Sequence, residues 1–213
     1  MSPLRVALVD YGAGNLVSIG QALTVVGAEV ALIGDGRDLA GAEALVVPGV
    51  GAAAPAMARL HERGLVEPIR RWIVDGRPYL GICLGLQLLF SASEEDGAAT
   101  FGVLPGRTVE LADAPTLPHI GWNQVIRRRE HPLFAGIGAA ADFYFVHSYA
   151  GRPDPEAASA VLADTVHGGS FVSAIARGPL LGVQFHPERS GPDGLRLIAN
   201  FVAFARDLAR AAA

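Results

Sequence analysis

The one thiol of this chain is Cys83, the single cysteine among 213 residues. It lies in Gly81-Ile82-Cys83-Leu84-Gly85, preceded by the strand-like Arg77-Pro78-Tyr79-Leu80. It is followed by residues 84–90, which read as a helix with an apolar face. A strand that turns sharply into a helix at G-x-C-x-G has the form of a nucleophile elbow, with Cys in place of Ser. The glycines let neighbouring backbone pack around a strained turn and leave the side chain proud of it. A helix N-terminus also favours the reactive thiolate. Free cysteine is, however, among the most buried residue types. On the pentapeptide alone, nucleophile and core filler are both open.

A catalytic thiol needs a base, and the base needs an orienting group. His61 sits among charged helix residues and reads as a surface group, while His131 and His167 lie in turns and read as solvent-facing. His186 differs, because it ends the apolar run Leu180-Leu181-Gly182-Val183-Gln184-Phe185. It should therefore emerge at the carboxyl end of a strand, as Cys83 does. Glu188 follows two positions on, and i, i+2 residues of an extended chain point to the same side. Such a carboxylate can fix the imidazole tautomer and stabilise the imidazolium. Pro187 favours an extended His186. His147, at the end of Tyr144-Phe145-Val146, is the alternative base but has no carboxylate beside it. For acyl transfer the Leu84 backbone N–H supplies one oxyanion donor. The glycine-rich Pro48-Gly49-Val50-Gly51 is the candidate loop for a second, although it could equally be a plain strand-to-helix turn.

The elements that must position these groups alternate in the first half. Strands are expected over 4–9, 29–33 and 44–47, and helices over 15–26, 54–63 and 65–75, with Asn15 as a helix cap. This βαβ rhythm predicts a parallel sheet covered on both faces, with function at the carboxyl ends of its strands. The middle changes character: short strands over 107–111, 124–128, 142–146, 158–163 and 171–176 are separated by Gly/Pro turns. A last strand over 180–185 precedes a helix over 193–211. Neither a repeat nor a low-complexity linker interrupts the chain, so residues 1–213 read as one domain. Gly12-Ala13-Gly14 has two glycines of a dinucleotide fingerprint, but Val17 stands where the third belongs, and a tight turn is the better reading.

Composition narrows the setting. A chain with 51% hydrophobic and 18% charged residues can build a sizeable core. One cysteine permits no internal disulfide, which points to a reducing, cytoplasmic compartment. No signal-peptide pattern opens the sequence and no apolar run reaches the roughly 18 residues of a membrane span. A net charge of −4 gives no reason to expect nucleic acid, and Arg127-Arg128-Arg129 reads as a solvated edge.

Three separated segments coincide with one family. Pro48-Gly49-Val50-Gly51, the elbow through Leu86-Gln87, and Gly182-Val183-Gln184-Phe185-His186-Pro187-Glu188 resemble the class I, triad-type glutamine amidotransferases. His119-Ile120-Gly121-Trp122-Asn123, Tyr144-Phe145-Val146-His147-Ser148-Tyr149 and Asp10-Tyr11-Gly12-Ala13-Gly14-Asn15 narrow the likeness to the glutaminase subunits of imidazole glycerol phosphate synthase.

The resemblance implies a flavodoxin-like, mainly parallel sheet with helices on both faces and an antiparallel β extension. It implies hydrolysis of glutamine through a γ-glutamyl thioester on Cys83, with His186 and Glu188 completing the triad. Val50, Gly51 and Leu84 would form the oxyanion hole, and Gln87, Ser148 and Tyr149 would hold the substrate. Neither metal nor cofactor is called for. Ammonia would pass to a (βα)8-barrel cyclase subunit in a heterodimer of histidine biosynthesis, whose binding switches on the glutaminase by a peptide flip at Val50. Asn15, Trp122, Asn123, Tyr144 and Arg189 would border the interface or the ammonia route. Arg189 stands where the family usually has Lys, so the pairing of that cation is open. Two other classes fit the thiol less well: a free-standing cysteine hydrolase, and a non-catalytic partner, which would have no need of Cys, His and Glu together.

Overall fold

The computed structural model describes residues 2–211. The first half runs β1 (Leu4–Val9), α1 (Leu16–Val25), β2 (Ala28–Ile33), β3 (Ala44–Val47), α2 (Ala53–Glu62), α3 (Val66–Val74), β4 (Tyr79–Ile82) and α4 (Leu84–Gln87). The second half adds β5 (Ala92–Ser93), β6 (Gly106–Glu110), β7 (His119–Gln124), β8 (Ile126–Arg127), β9 (Asp142–His147), β10 (Tyr149–Pro153), β11 (Val161–His167), β12 (Gly169–Arg177), β13 (Leu180–Val183) and α5 (Gly191–Ala211).

Eight strands form one sheet in the order β2-β1-β3-β4-β13-β12-β11-β8. The first five are mutually parallel and the last three continue antiparallel. The parallel part has the spatial order of a flavodoxin-like doubly wound sheet, with β13 as its fifth strand. Two small sheets, β10-β6-β5 and β7-β9, build the extension. The central strands β3, β4 and β13 are apolar at every position and buried throughout, so the middle of the sheet is covered on both faces. Along β1, Val6 and Leu8 pack into one core with Ile19, Leu23, Phe185 and Phe201, while Ala7 and Val9 pack into another with Trp72, Tyr79 and Leu86. Period-two alternation thus feeds two separate cores.

The first-half elements fall within a residue or two of expectation, and the Asn15 side chain caps α1 by accepting from Ser18 N at 3.2 Å. Four expectations need correction. The strand expected over 158–163 begins only at Val161, because residues 155–160 form a short 3-10 helix opened by Pro155. The elbow helix ends at Gln87 instead of running to Phe90. Leu88, Leu89 and Phe90 are all fully buried, a run with no solvent face. Their carbonyls accept from Phe101, Gly102, Val103 and Leu104, so the loop has replaced the helix as partner. The strand expected over 124–128 is split, because the pairing of 119–124 with β9 ends before β8 joins β11. The arginine run is not merely solvated: Arg128 pairs with Asp164, and Arg129 donates to the Ala176 carbonyl at 2.8 Å.

Candidate active site

β4 and β13 are hydrogen-bonded parallel neighbours, with Val183 opposite Ile82, and the Cys83 N–H donates to the Val183 carbonyl at 2.8 Å. Both strands therefore release their chains at the same edge. There Cys83 adopts φ +54°, a left-handed conformation rare for a residue with a Cβ. Such strain persists only where the surroundings hold it. They do so through two glycines: a Cβ on Gly81 would overlap the backbone at Gly85, and one on Gly85 would overlap the Val47 carbonyl. The four-residue α4 carries little macrodipole, so the positive φ, more than a helix field, is what presents the sulfur.

His186 is 5% exposed and its Nδ1–H donates to Glu188 Oε1 at 2.9 Å. The Glu188 side chain is wholly buried. Burial by itself disfavours the imidazolium, but Cys83 and Glu188 outweigh it and the His186 pKa is pushed up to about 10. Nε2 is buried without a hydrogen-bond partner among the described residues, so the influence of Cys83 on it is one of proximity and charge rather than a closed bond. The loop is anchored behind the ring. His186 N–H donates to Tyr144 O at 2.8 Å, Ser190 Oγ donates to His186 O at 2.6 Å, and Tyr144 N–H donates to Ser190 Oγ at 3.0 Å.

A cleft of about 240 Å³ opens onto Cys83, and Val50, Gly51, Leu84, Gln87, Ser148 and Tyr149 all line it. Every residue expected of the oxyanion hole and the substrate contacts thus faces one space. Gly51 has φ +87° and Val50 is 46% exposed. The Leu84 N–H is not free, however: it donates to the Gly49 carbonyl at 3.4 Å. Gly49 is hemmed in, since a Cβ there would overlap the Tyr11 hydroxyl and lie 2.9 Å from Leu84 Cβ. Tyr11, buried, donates to the Pro48 carbonyl at 3.0 Å. A larger hollow of about 390 Å³ lies by Arg128 and Asp164 and holds none of these groups.

His147 also lines the cleft but is not available as a base. Its Nδ1–H donates to the Tyr149 carbonyl at 2.8 Å, which leaves Nε2 to accept from His119 Nδ1–H at 3.2 Å. Burial then pushes its pKa down to about 3. His119 Nε2 accepts from Asn123 Nδ2 at 3.2 Å, and the His119 pKa is pushed down to about 4, first by burial and then by His167. His167 is not simply solvent-facing, for it stacks on His119 with centroids 4.1 Å apart. Among the described residues no group of His, Cys, Asp and Glu has a metal-holding arrangement.

The expected interface residues divide. Trp122 lies edge-on to Tyr144, and the Arg189 guanidinium sits 4.0 Å over the Tyr144 ring, so Arg189 is engaged with an aromatic face instead of a carboxylate. Asn123 points inward to His119 and the Val166 carbonyl, and Asn15 is exposed at the start of α1. Two residues of the site were not anticipated. Tyr11 braces the Pro48 loop, and Gln184 donates from Nε2 to Cys83 Sγ at 3.5 Å. Alternation from His186 through Phe185 to Gln184 is the signal that could have found the second.

An elbow cysteine, a histidine held by a buried carboxylate and a glycine-rich loop thus meet at one strand edge of a doubly wound sheet, an arrangement suited to thiol-dependent acyl transfer. The chain belongs to the glutamine amidotransferase class-I family, whose model matches residues 7–204. Within that family it is 47% identical to imidazole glycerol phosphate synthase subunit HisH of Symbiobacterium thermophilum, over 96% of each chain. It is 48% identical to the subunit of the same name from Synechococcus sp. (strain JA-3-3Ab), over 96% of this chain and 95% of that one. Solved structures share the fold: PurLQS from Thermotoga maritima with TM-score 0.75 at 19% identity, covering 96% of this chain and 99% of that one. Another structure, of a glutamine amidotransferase, gives TM-score 0.74 at 22% identity, covering 94% of this chain and 98% of that one.

Proposed function

We propose that residues 1–213 form a single glutaminase domain, the ammonia-producing subunit of an imidazole glycerol phosphate synthase. In this reading His186 already holds the proton given up by Cys83, and the sulfur attacks the side-chain amide carbon of L-glutamine. The tetrahedral oxyanion is met by the Leu84 N–H and a donor from the Val50–Gly51 loop. The C–N bond breaks, His186 returns the proton to the departing nitrogen, and ammonia leaves a γ-glutamyl thioester. Water, deprotonated by His186, then releases glutamate and restores the thiol. Glu188 holds the ring in the Nδ1–H tautomer throughout.

The observation that carries this reading is Cys83 at positive φ on the strand beside the one that delivers His186, whose Nδ1–H meets the buried Glu188 at 2.9 Å. Gln87, Ser148 and Tyr149 are read as the substrate's amino-acid subsite. The names of the HisH relatives describe subunits of a synthase, which supports a partner. That partner is read as a (βα)8-barrel cyclase that uses the ammonia to form imidazole glycerol phosphate and aminoimidazole carboxamide ribotide. The exposed Ile120 and Trp122, with Tyr144, Arg189 and the edge at Asn15, are read as its docking face, and Asn123 as a support beneath it. No helix among the described residues is long and apolar enough to cross a membrane, which accords with work in the cytoplasm.

The test uses the chain with its cognate cyclase subunit. Cys83→Ala should abolish glutamine-dependent synthesis and spare synthesis from added ammonium salt. Loss of both, or survival of both, would sink the division of labour.

A further inference from the structure

We infer that Gln184 is a positioning residue for the nucleophile: its buried side-chain amide donates an N–H to Cys83 Sγ and is locked in that orientation by Gln87. The locking follows from one backbone atom. The Tyr149 carbonyl can only accept, so the end of the Gln87 amide 2.7 Å from it must be the NH2 group. That same nitrogen lies 3.1 Å from the Gln184 amide, which must therefore present its oxygen. With the oxygen spoken for, the nitrogen of Gln184 is the atom left facing the sulfur, at 3.5 Å.

Nothing lets this arrangement rotate. Gln184 is 0% exposed, and its own N–H is held by the Ser173 carbonyl at 2.9 Å. The Tyr149 carbonyl is gripped from the other side by His147, and His147 by His119. An amide N–H aimed at sulfur strengthens as the sulfur gains charge, so it favours the thiolate over the thiol and fixes the direction of attack. Its effect on turnover rests on the glutaminase reading of Cys83; its effect on the sulfur does not.

The experiment is the pH dependence of Cys83 alkylation by iodoacetamide in the whole chain, where no second thiol competes. Gln184→Met keeps the volume and removes the donor. It should move the alkylation midpoint up by ~0.5–1 pH unit and lower kcat of the complex about 10-fold with KM within about 2-fold. Gln87→Met leaves Gln184 in place but frees its amide, and should move the midpoint in the same direction by less. If Gln184→Met does not fold, Gln87→Met decides alone. An unmoved midpoint in the folded variant overturns the role, even where activity falls, because a merely structural residue would not shift a thiol titration. The outcome is separable from the catalytic reading: a wild-type profile indifferent to His186→Ala would count against the triad and leave the Gln184 comparison intact.

Discussion

The Leu84 N–H donates to the Gly49 carbonyl across 3.4 Å, so the donor an oxyanion would need is turned onto the loop that should assist it. For both to serve the substrate, the Gly49–Val50 peptide must rotate, taking the carbonyl off Leu84 and bringing the Val50 N–H toward the cleft. The long bond favours such a rotation, being weak by geometry. The loop is braced on its other side by Tyr11, whose bond to the Pro48 carbonyl such a rotation would leave in place.

The isolated chain should accordingly be a poor glutaminase, ~10²–10³ below its rate in the complex, the value of an oxyanion donor. Steady-state glutamate release with and without the cyclase subunit and its nucleotide ligand measures this. Equal rates would contradict partner gating.

Gly49→Ala places a methyl against the Tyr11 hydroxyl and Leu84 Cβ. The loop must shift, and glutamine-dependent turnover should fall ~10²-fold or more. Ammonia-dependent synthesis should persist, since the clash lies inside this subunit. Adding Tyr11→Phe removes one of the two obstructions only, so a full recovery in the double variant would mean that the loop is not confined as described.

Glu188→Gln keeps the shape and removes the charge that helps raise His186. The kcat/KM of the complex should fall by roughly 10²–10⁴, and the alkaline limb of its pH profile should move to lower pH. A drop in rate with an unmoved alkaline limb would assign Glu188 to scaffolding alone.

Stability should be greatest near pH 6.5 as far as these histidines govern it. His119 and His147 have folded pKa values of about 4 and about 3, below the unfolded 6.5. Their contribution is present above 6.5 and is lost as pH falls toward those values, because the unfolded chain then binds the extra protons. His186 has the opposite sign: its folded value of about 10 gives stability below 6.5 that is lost as pH rises toward 10. Urea midpoints across pH 4–9 should show both slopes. His119→Asn with His147→Gln should flatten the acid slope, and an unchanged acid slope would exclude these two rings as its source.

The grouping of Cys83 with His186 and Glu188 was legible because each part sits in a short, local pattern: an elbow pentapeptide and a His-Pro-Glu at a strand end. The β extension was legible in part, since strands were expected where β6 and β9 lie, but β7 was missed, and its pattern explains why. Its alternation is inverted, with His119 buried while Ile120 and Trp122 are 59% and 57% exposed. A hydrogen-bonded His–Asn row fills the inner side and the apolar residues are left outside, so ordinary patterning fails. Gln184 and Tyr11 escaped for another reason. Their roles depend on which distant backbone carbonyl their polar atoms meet, and no spacing along the chain records that. The elbow helix was overextended because an unbroken apolar run fits a buried turn as well as a helix.

Cys83 and His186 descend from adjacent strands of one parallel sheet, bonded at Val183–Ile82. Their separation therefore rests on that strand pairing together with the ties that hold the His186 segment to Tyr144 and Ser190. A catalytic gap defined this way cannot be adjusted by trimming or lengthening surface segments. The Gly49 loop is held differently, meeting the elbow through the long Leu84–Gly49 bond and the Tyr11 contact at Pro48.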